Sequence, residues 1–285
     1  MNSNKNKCLV VGANSFLAKE IILRLQKENE VTAVYHINKD NLVDTVKSIP
    51  LSNLSELKDE YKVVFIVSAY IPEKNKVLDH RLLNEVNVDL PRIISRKFKN
   101  AKIVYASSVS VYGNSPGILS ENSPFLNVSD YGISKREGEK ILMDHSHYSI
   151  IRISSMYGKG MNQSTFLPLI VHSAIENNVI KLFGKGERAQ NYIHVSDVAD
   201  FFIQASQKST NNMYLAVGEN SYTNLEIASF IKNELPEVKI EFNAEDNSQS
   251  FFYDASETYK SLSLKPEKNI QEGISELIKW QQKKF

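Results

Sequence analysis

The chain's strongest constraint is a rhythm. Short, almost wholly apolar runs alternate with segments whose apolar residues recur every three or four positions. Cys8-Leu-Val-Val leads into Gly12, and Leu17, Ile21, Ile22 and Leu25 then recur at helical spacing. Residues 31–35, 63–68, 102–106 and 149–153 read as further strands, and 131–144 as a helix. Leu83, Val86, Leu90 and Ile94 form one stripe of a helix over 82–98, bent or divided at Pro91. A strand that is apolar on both sides must be covered on both sides, so these units predict a parallel sheet with helices on either face. The fold class expected is α/β, with a doubly wound parallel sheet.

The second half reads differently. Gly158, Gly160, Gly184 and Gly186 mark loops, and helices are expected over 168–177, 196–207, 225–235 and 270–282. Strands are expected over 180–183 and 214–217, and Lys283, Lys284 and Phe285 read as a frayed tail. This predicts a first domain over residues 1–160 and a smaller C-terminal α/β region over 161–285, with later elements returning to the first sheet. A chain of 285 residues can bury a substantial core without disulfides. Its only cysteine, Cys8, excludes an internal disulfide and a cysteine-built zinc site, and reads as a small buried hydrophobe.

Charge excludes other classes. Lys and Arg number 34 against 33 for Asp and Glu, a net charge of +1 without the basic excess of a nucleic-acid or membrane-surface protein. The longest apolar-rich stretches, 63–71 and 166–170, fall short of the roughly 18 residues of a membrane span. The opening M-N-S-N-K-N-K has no apolar signal-type stretch before the first strand, so a cytoplasmic protein is expected. Asp144-His-Ser-His147 reads as a solvated helix end, and no metal site is expected.

A buried strand ending in glycine before a helix is where a dinucleotide pyrophosphate sits on a helix N-terminus. Here the turn is Gly12-Ala-Asn-Ser15-Phe-Leu-Ala18, a G-x-x-G-x-x-G spacing that keeps only its first glycine. Ala18 is small enough for close helix–strand packing. Ser15 puts a side chain where the backbone would approach phosphate, although its hydroxyl can donate instead. The same residues also fit a plain strand-to-helix turn capped by Asn14 or Ser15. An acid closing the second strand would bind ribose hydroxyls and repel a 2′-phosphate, yet His36 stands there and residues 31–38 hold no acid. That favours NADP over NAD or weak discrimination between them; His36 as a plain surface residue fits equally.

Tyr131-Gly-Ile-Ser-Lys135 places a phenol and an ammonium on one helix face. Upstream, Tyr105-Ala-Ser-Ser108 is a strand running into a serine-rich turn. Strand ends of a parallel sheet converge on the ligand crevice, which would bring Ser108, Tyr131 and Lys135 together. An isolated tyrosine titrates near ~10 and is a weak base at neutral pH. A neighbouring Lys⁺ favours the phenolate and brings it towards useful acid/base strength. Ser108 can hold a substrate hydroxyl or carbonyl. The structural alternative is a boundary aromatic, a solvated lysine and a strand-end cap.

Taken together, these motifs resemble the extended short-chain dehydrogenase/reductases of the NAD-dependent epimerase/dehydratase family, which act mostly on nucleotide sugars. Ser107 to Gly113 is similar to S-S-x-x-V-Y-G, Tyr131 to Lys135 to Y-x-x-x-K, and Asn87 to the family's helix asparagine. Glu121 to Pro124, Arg152 to Gly158, Gly186 to Val198 and Leu262 to Ile274 carry further motifs along nearly the whole chain. The resemblance implies a Rossmann-like fold, with Ser108, Tyr131 and Lys135 catalytic. It implies a cofactor site of Gly12, Asn14, Ser15, Phe16, Leu17, His36, Ser68, Ala69, Tyr131 and Lys135. It also implies a homodimer formed through helices about 84–98 and 131–144.

Departures narrow the reaction. The family's sugar 4,6-dehydratases carry an Asp-Glu pair directly after the catalytic Ser/Thr, where this chain has Val109 and Ser110. Many epimerases keep an asparagine where Ser155 stands, and an arginine for the diphosphate where Gln190 stands; Arg188 is a substitute from two residues upstream. Ser110, Ser155, Arg188 and Gln190 are the candidate substrate residues. Arg152-Ile-Ser-Ser-Met-Tyr157 resembles R-T-S-x-V-Y of sugar-nucleotide 4-ketoreductases. The expected function is therefore reduction of a nucleotide-linked 4-keto sugar with NADP or NAD. The alternatives are a 4-epimerase with tightly held NAD, a reductase of a non-sugar ketone, and a non-catalytic coenzyme-binding protein.

Overall fold

The computed structural model describes residues 5–73 and 76–283, so Lys284 and Phe285 of the expected tail lie outside the described residues. The first part runs β1 (Lys7–Val11), α1 (Phe16–Leu25), β2 (Glu30–Tyr35), β3 (Lys47–Pro50), a 3₁₀ segment Leu51–Glu56 and β4 (Val63–Ile66). After it come α2 (His80–Asn84), a π-helical turn Glu85–Asp89, α3 (Leu90–Lys97) and β5 (Lys102–Ser108). A 3₁₀ turn Val109–Tyr112 leads to β6 (Ile118–Leu119), α4 (Asp130–Met143) and β7 (Tyr148–Ile153). The rest comprises β8 (Ser155–Tyr157), α5 (Phe166–Asn177), β9 (Val179–Phe183), β10 (Ala189–His194), α6 (Val195–Gln207) and β11 (Asn212–Ala216). It ends with β12 (Ser221–Thr223), α7 (Asn224–Glu234), β13 (Lys239–Asn243), β14 (Phe252–Tyr253), α8 (Ser256–Leu262) and α9 (Ile270–Gln282).

Seven strands form one parallel sheet in the order β11-β7-β5-β4-β1-β2-β3. The fold is α/β and Rossmann-like. Val10, Phe65 and Val104 turn to one face, where they meet α1 and α6 through Ile21, Ile22, Phe201 and Phe202. Leu9, Val64, Ile66 and Ile103 turn to the other and meet Leu90 and Ile94 of α3, Phe98 just beyond its end and Leu142 of α4. This two-sided closure is why the strands read as unbroken apolar runs. The winding reverses between β1 and β4, so a crevice opens beyond their C-terminal ends.

The second lobe packs α5, α7 and α9 around β9 and β10. Its strands form separate small sheets, β12-β10-β8 and β13-β9, while β11 returns to the edge of the large sheet beside β7. The segment expected as one helix over 82–98 is α2, the π turn and α3, with Pro91 in the first turn of α3. Proline has no N–H to give the carbonyl four residues back, and the Asn87 carbonyl instead accepts from the Tyr105 hydroxyl at 3.3 Å. No helix among the described residues is long and apolar enough to cross a membrane.

Candidate active site

The turn after β1 is built on Gly12 at φ 95°, a conformation that favours glycine. A Cβ there would lie 2.5 Å from the Ser68 nitrogen, so the close approach of the two loops depends on its absence. The N–H groups of Gly12 and Ala13 donate to the Val34 carbonyl at 3.0 and 2.9 Å. Ser15 is the N-cap of α1, its Oγ accepting from the Ala18 N–H at 3.2 Å. The Asn14 amide turns away and donates to the Asn38 and Asp40 carbonyls, both at 2.8 Å, fastening the loop after β2 to the turn.

A cavity of about 790 Å³ opens here, lined by Gly12, Asn14, Ser15, His36, Ser68 and Ala69. Its opposite wall is Leu51, Leu54, Leu82, Val86 and Leu90. Phe16, Leu17, Tyr131 and Lys135, expected at the cofactor, are not in that lining. Leu17 is buried in the core and Phe16 packs near Gly158 and Gly160. What these two present at the turn is main-chain N–H of the first helical turn.

Ser129 caps the N-terminus of α4 by accepting from the Gly132 N–H at 3.3 Å. Gly132 lets that first turn lie against the Ser110 carbonyl, which would stand 2.3 Å from a Cβ. Tyr131 thereby faces Ser108, whose hydroxyl interacts with the phenol. Ser108 also accepts from the Ser110 N–H at 3.1 Å and donates to the Ser110 hydroxyl at 3.1 Å. One turn along, Lys135 is fully buried, its Nζ 4.2 Å from the centre of the Tyr105 ring. Buried Asn87 accepts from the Tyr70 N–H at 2.9 Å and donates to the Tyr70 carbonyl at 2.9 Å and to Ser134 Oγ at 3.0 Å. It thus joins the cavity wall to α4.

The profile of the NAD dependent epimerase/dehydratase family matches residues 8–217, which contain both the turn and this cluster. The chain belongs to that family. It is 25% identical to a putative UDP-glucose 4-epimerase of Methanocaldococcus jannaschii, over 95% of this chain and 97% of that one. It is 24% identical to a dTDP-4-dehydro-6-deoxyglucose reductase of Escherichia coli, over 98% of each. The fold is also that of a UDP-glucuronic acid 4-epimerase from Bacillus cereus in complex with UDP-glucuronic acid and NAD. That comparison has a TM-score of 0.86 at 18% identity, covering 98% of this chain and all of the other.

The family's coenzyme can be tested against the residues themselves. Ser68 Oγ and Lys135 Nζ are buried without a hydrogen-bond partner, a costly condition that a ligand donating and accepting at those points would relieve. With the cradle at Gly12 and the helix N-terminus, they fit a dinucleotide.

Titration in the site differs from the sequence-level expectation. Burial pushes the Tyr131 phenol up to about 12, and the interaction with Ser108 acts the other way. Burial also brings Lys135 down to about 7, with the Glu139 carboxylate opposing it. Desolvation therefore governs both groups, and the lowering of Tyr131 expected from a charged lysine does not appear.

The remaining candidates stand on other elements. Ser155 is exposed on β8. Gln190 on β10 donates to Asn224 Oδ1 at 3.3 Å, and Arg188 Nε donates to the Gln249 carbonyl at 3.4 Å, both within the second lobe. His145 of the Asp144–His147 stretch is buried, its Nε2 2.9 Å from the Ala101 carbonyl. Sequence reasoning missed Glu139, whose signal was its position one helical turn beyond Lys135, and it missed Tyr70 and Tyr105.

Proposed function

We propose that this protein is an NAD(P)-dependent oxidoreductase that reduces the 4-keto group of a nucleotide-linked sugar, with NADP favoured over NAD. The observation that carries the reading is the clustering of Ser108, Tyr131 and buried, unpartnered Lys135 on elements that Asn87 ties, through Ser134 and Tyr70, to the wall of a cleft that fits a dinucleotide. A bound nicotinamide supplies the hydride chemistry. Ser108 holds and polarises the carbonyl oxygen. Tyr131 then gives its proton to that oxygen as negative charge builds there, a role that a phenol raised to about 12 fills because it stays protonated at neutral pH. Lys135 binds ribose hydroxyls and, when charged, stabilises the phenolate left behind.

Elimination of water needs an acid and a base next to Ser108, and Val109 and Ser110 supply neither. His36 lines the cleft where an acid would repel a 2′-phosphate, which supports NADP. The second reading, a 4-epimerase with retained NAD, is favoured by the Methanocaldococcus relative. Consumption of NADPH or NADH with a panel of nucleotide-linked 4-keto sugars tests the first reading. Interconversion of nucleotide hexoses without added coenzyme, and no reduction, would replace it with the second. We further propose a cytoplasmic homodimer, paired through α3 and α4, where Ile93, Ile133 and Met143 are exposed. Light scattering that gives the mass of one chain overturns that pairing.

A further inference from the structure

Beyond the cleft, the described residues hold a fully enclosed ionic cluster. Glu139 and Arg152 are 2% and 1% exposed. Arg152 Nε donates to Glu139 Oε1 at 2.9 Å and Nη2 to Oε2 at 2.8 Å, a two-pronged pairing. Ser107 adds a third donor to Oε1 at 2.6 Å. The other side of the guanidinium is also fixed, with Nη1 donating to the Tyr112 hydroxyl and the Glu121 carbonyl, each at 2.9 Å. Arg152 reaches this place because β7 runs parallel to β5 with Arg152 in register with Ser107.

Glu139 lies four residues after Lys135 on α4, the spacing at which a carboxylate and an ammonium on one helix face form an ion pair. The pair is not made. Lys135 Nζ has no hydrogen-bond partner and rests over the Tyr105 ring. The titratable and charged groups around it are Tyr131 and Glu139 on its own helix, Tyr105 on β5 and, behind Glu139, Arg152 on β7.

We propose that Arg152 is a positioning residue for Lys135: by occupying both carboxylate oxygens of Glu139, it keeps that carboxylate from capturing the ammonium and leaves the ammonium free for a ligand. This rests on Lys135 serving the coenzyme, as proposed above. Without Arg152, a buried carboxylate with Oε2 bare and Oε1 held only by the neutral Ser107 hydroxyl would take the nearest cation in reach. The ammonium would then leave the Tyr105 ring, and it would be held charged.

The test follows the Lys135 side chain in the ligand-free protein, by NMR of ¹³Cε-lysine-labelled chain, with its signal identified by loss in Lys135→Met. Arg152→Met should raise the Lys135 titration midpoint by one pH unit or more and weaken NADPH or NADH binding at least tenfold. Arg152→Met combined with Glu139→Gln should return the midpoint to the starting value or below and recover most of the lost affinity. A folded Arg152→Met protein with an unmoved midpoint overturns the proposal. Should that variant not fold, the double variant decides: a raised midpoint, or a tenfold loss of coenzyme affinity, overturns it, whereas an unraised midpoint with affinity kept upholds it. Because the midpoint is read without substrate or coenzyme, failure of the oxidoreductase reading leaves this result standing, and the reverse.

Discussion

Lys135 and Glu139 lie one turn apart on α4 and are equally closed off from water, yet their surroundings are opposite. Glu139 receives three hydrogen bonds, two of them from a guanidinium, whereas Lys135 Nζ receives an aromatic face and no hydrogen bond. Moving an ionic group out of water is expensive, and the expense is offset where the partners are already in place. At Glu139 they belong to the protein, so this charge serves the fold by fixing α4 to β5 and β7. At Lys135 no such partner is in place, which is the condition that the proposed coenzyme would relieve. On the proposed reading, one helix is both a structural tie and an active-site wall.

The largest effect should come from Tyr131, the proton donor proposed above. Tyr131→Phe removes one hydroxyl at the mouth of the cluster and should lower turnover about 10²–10⁴-fold while thermal stability and coenzyme binding hold. Steady-state kinetics beside a melting curve reads both. Unchanged turnover would reduce the contrast on α4 to a matter of folding. Next comes Glu139→Gln, which strands a buried guanidinium and should cost about 3–5 kcal/mol by urea unfolding.

Lys135→Met should act with the opposite sign. No hydrogen bond is lost and a buried ammonium is removed, so stability at neutral pH should rise by about 2 kcal/mol while coenzyme binding falls. The pH dependence has a definite direction. Lys135 titrates at about 7 in the folded chain against the ordinary lysine value of 10.5, so between those values the unfolded chain holds the extra proton. Through that window the lysine's contribution makes the native protein more stable as pH rises, with a slope of at most about 1.4 kcal/mol per pH unit. The advantage of Lys135→Met is then complete below pH 7 and fades towards pH 10.5. A methionine variant that is less stable than the native chain at pH 6 would break the contrast.

Legibility in the sequence follows the same division between local and tertiary causes. The strands of the large sheet are covered on both faces, so composition alone marks β1, β2, β4, β5 and β7. Edge strand β3, K-S-I-P, carries no such mark, and β6, β8, β12 and β14 are two or three residues long, too short for any period. In the candidate site, Gly12 and the Tyr131–Lys135 spacing are local signals and could be found by spacing. The direction of the Tyr131 shift could not, because it depends on burial, which one helical turn of sequence does not reveal. Nor could the fate of Glu139: its spacing suggested Lys135, while its actual partner is 13 residues away on β7. The side chains of Phe16 and Leu17 pack elsewhere for a related reason, since what a helix N-terminus offers a ligand is backbone N–H, which sequence does not distinguish from side chain.

The smallest predicted effect gives the finest reading of the contrast. Ser107→Ala deletes one of three donors to Glu139 and leaves the two from Arg152 in place. The carboxylate stays paired, so stability should fall by only about 1 kcal/mol in urea unfolding. Ser107 is also the residue immediately before Ser108, so a loosened strand end would show as a raised KM rather than as a change in the Lys135 midpoint. A midpoint that climbed in Ser107→Ala would mean that the serine, and not the guanidinium, is what holds the carboxylate away from the lysine. The two-pronged geometry of Arg152 argues against that outcome, because a neutral hydroxyl offers one hydrogen bond and no countercharge, whereas the guanidinium meets both oxygens with a full one.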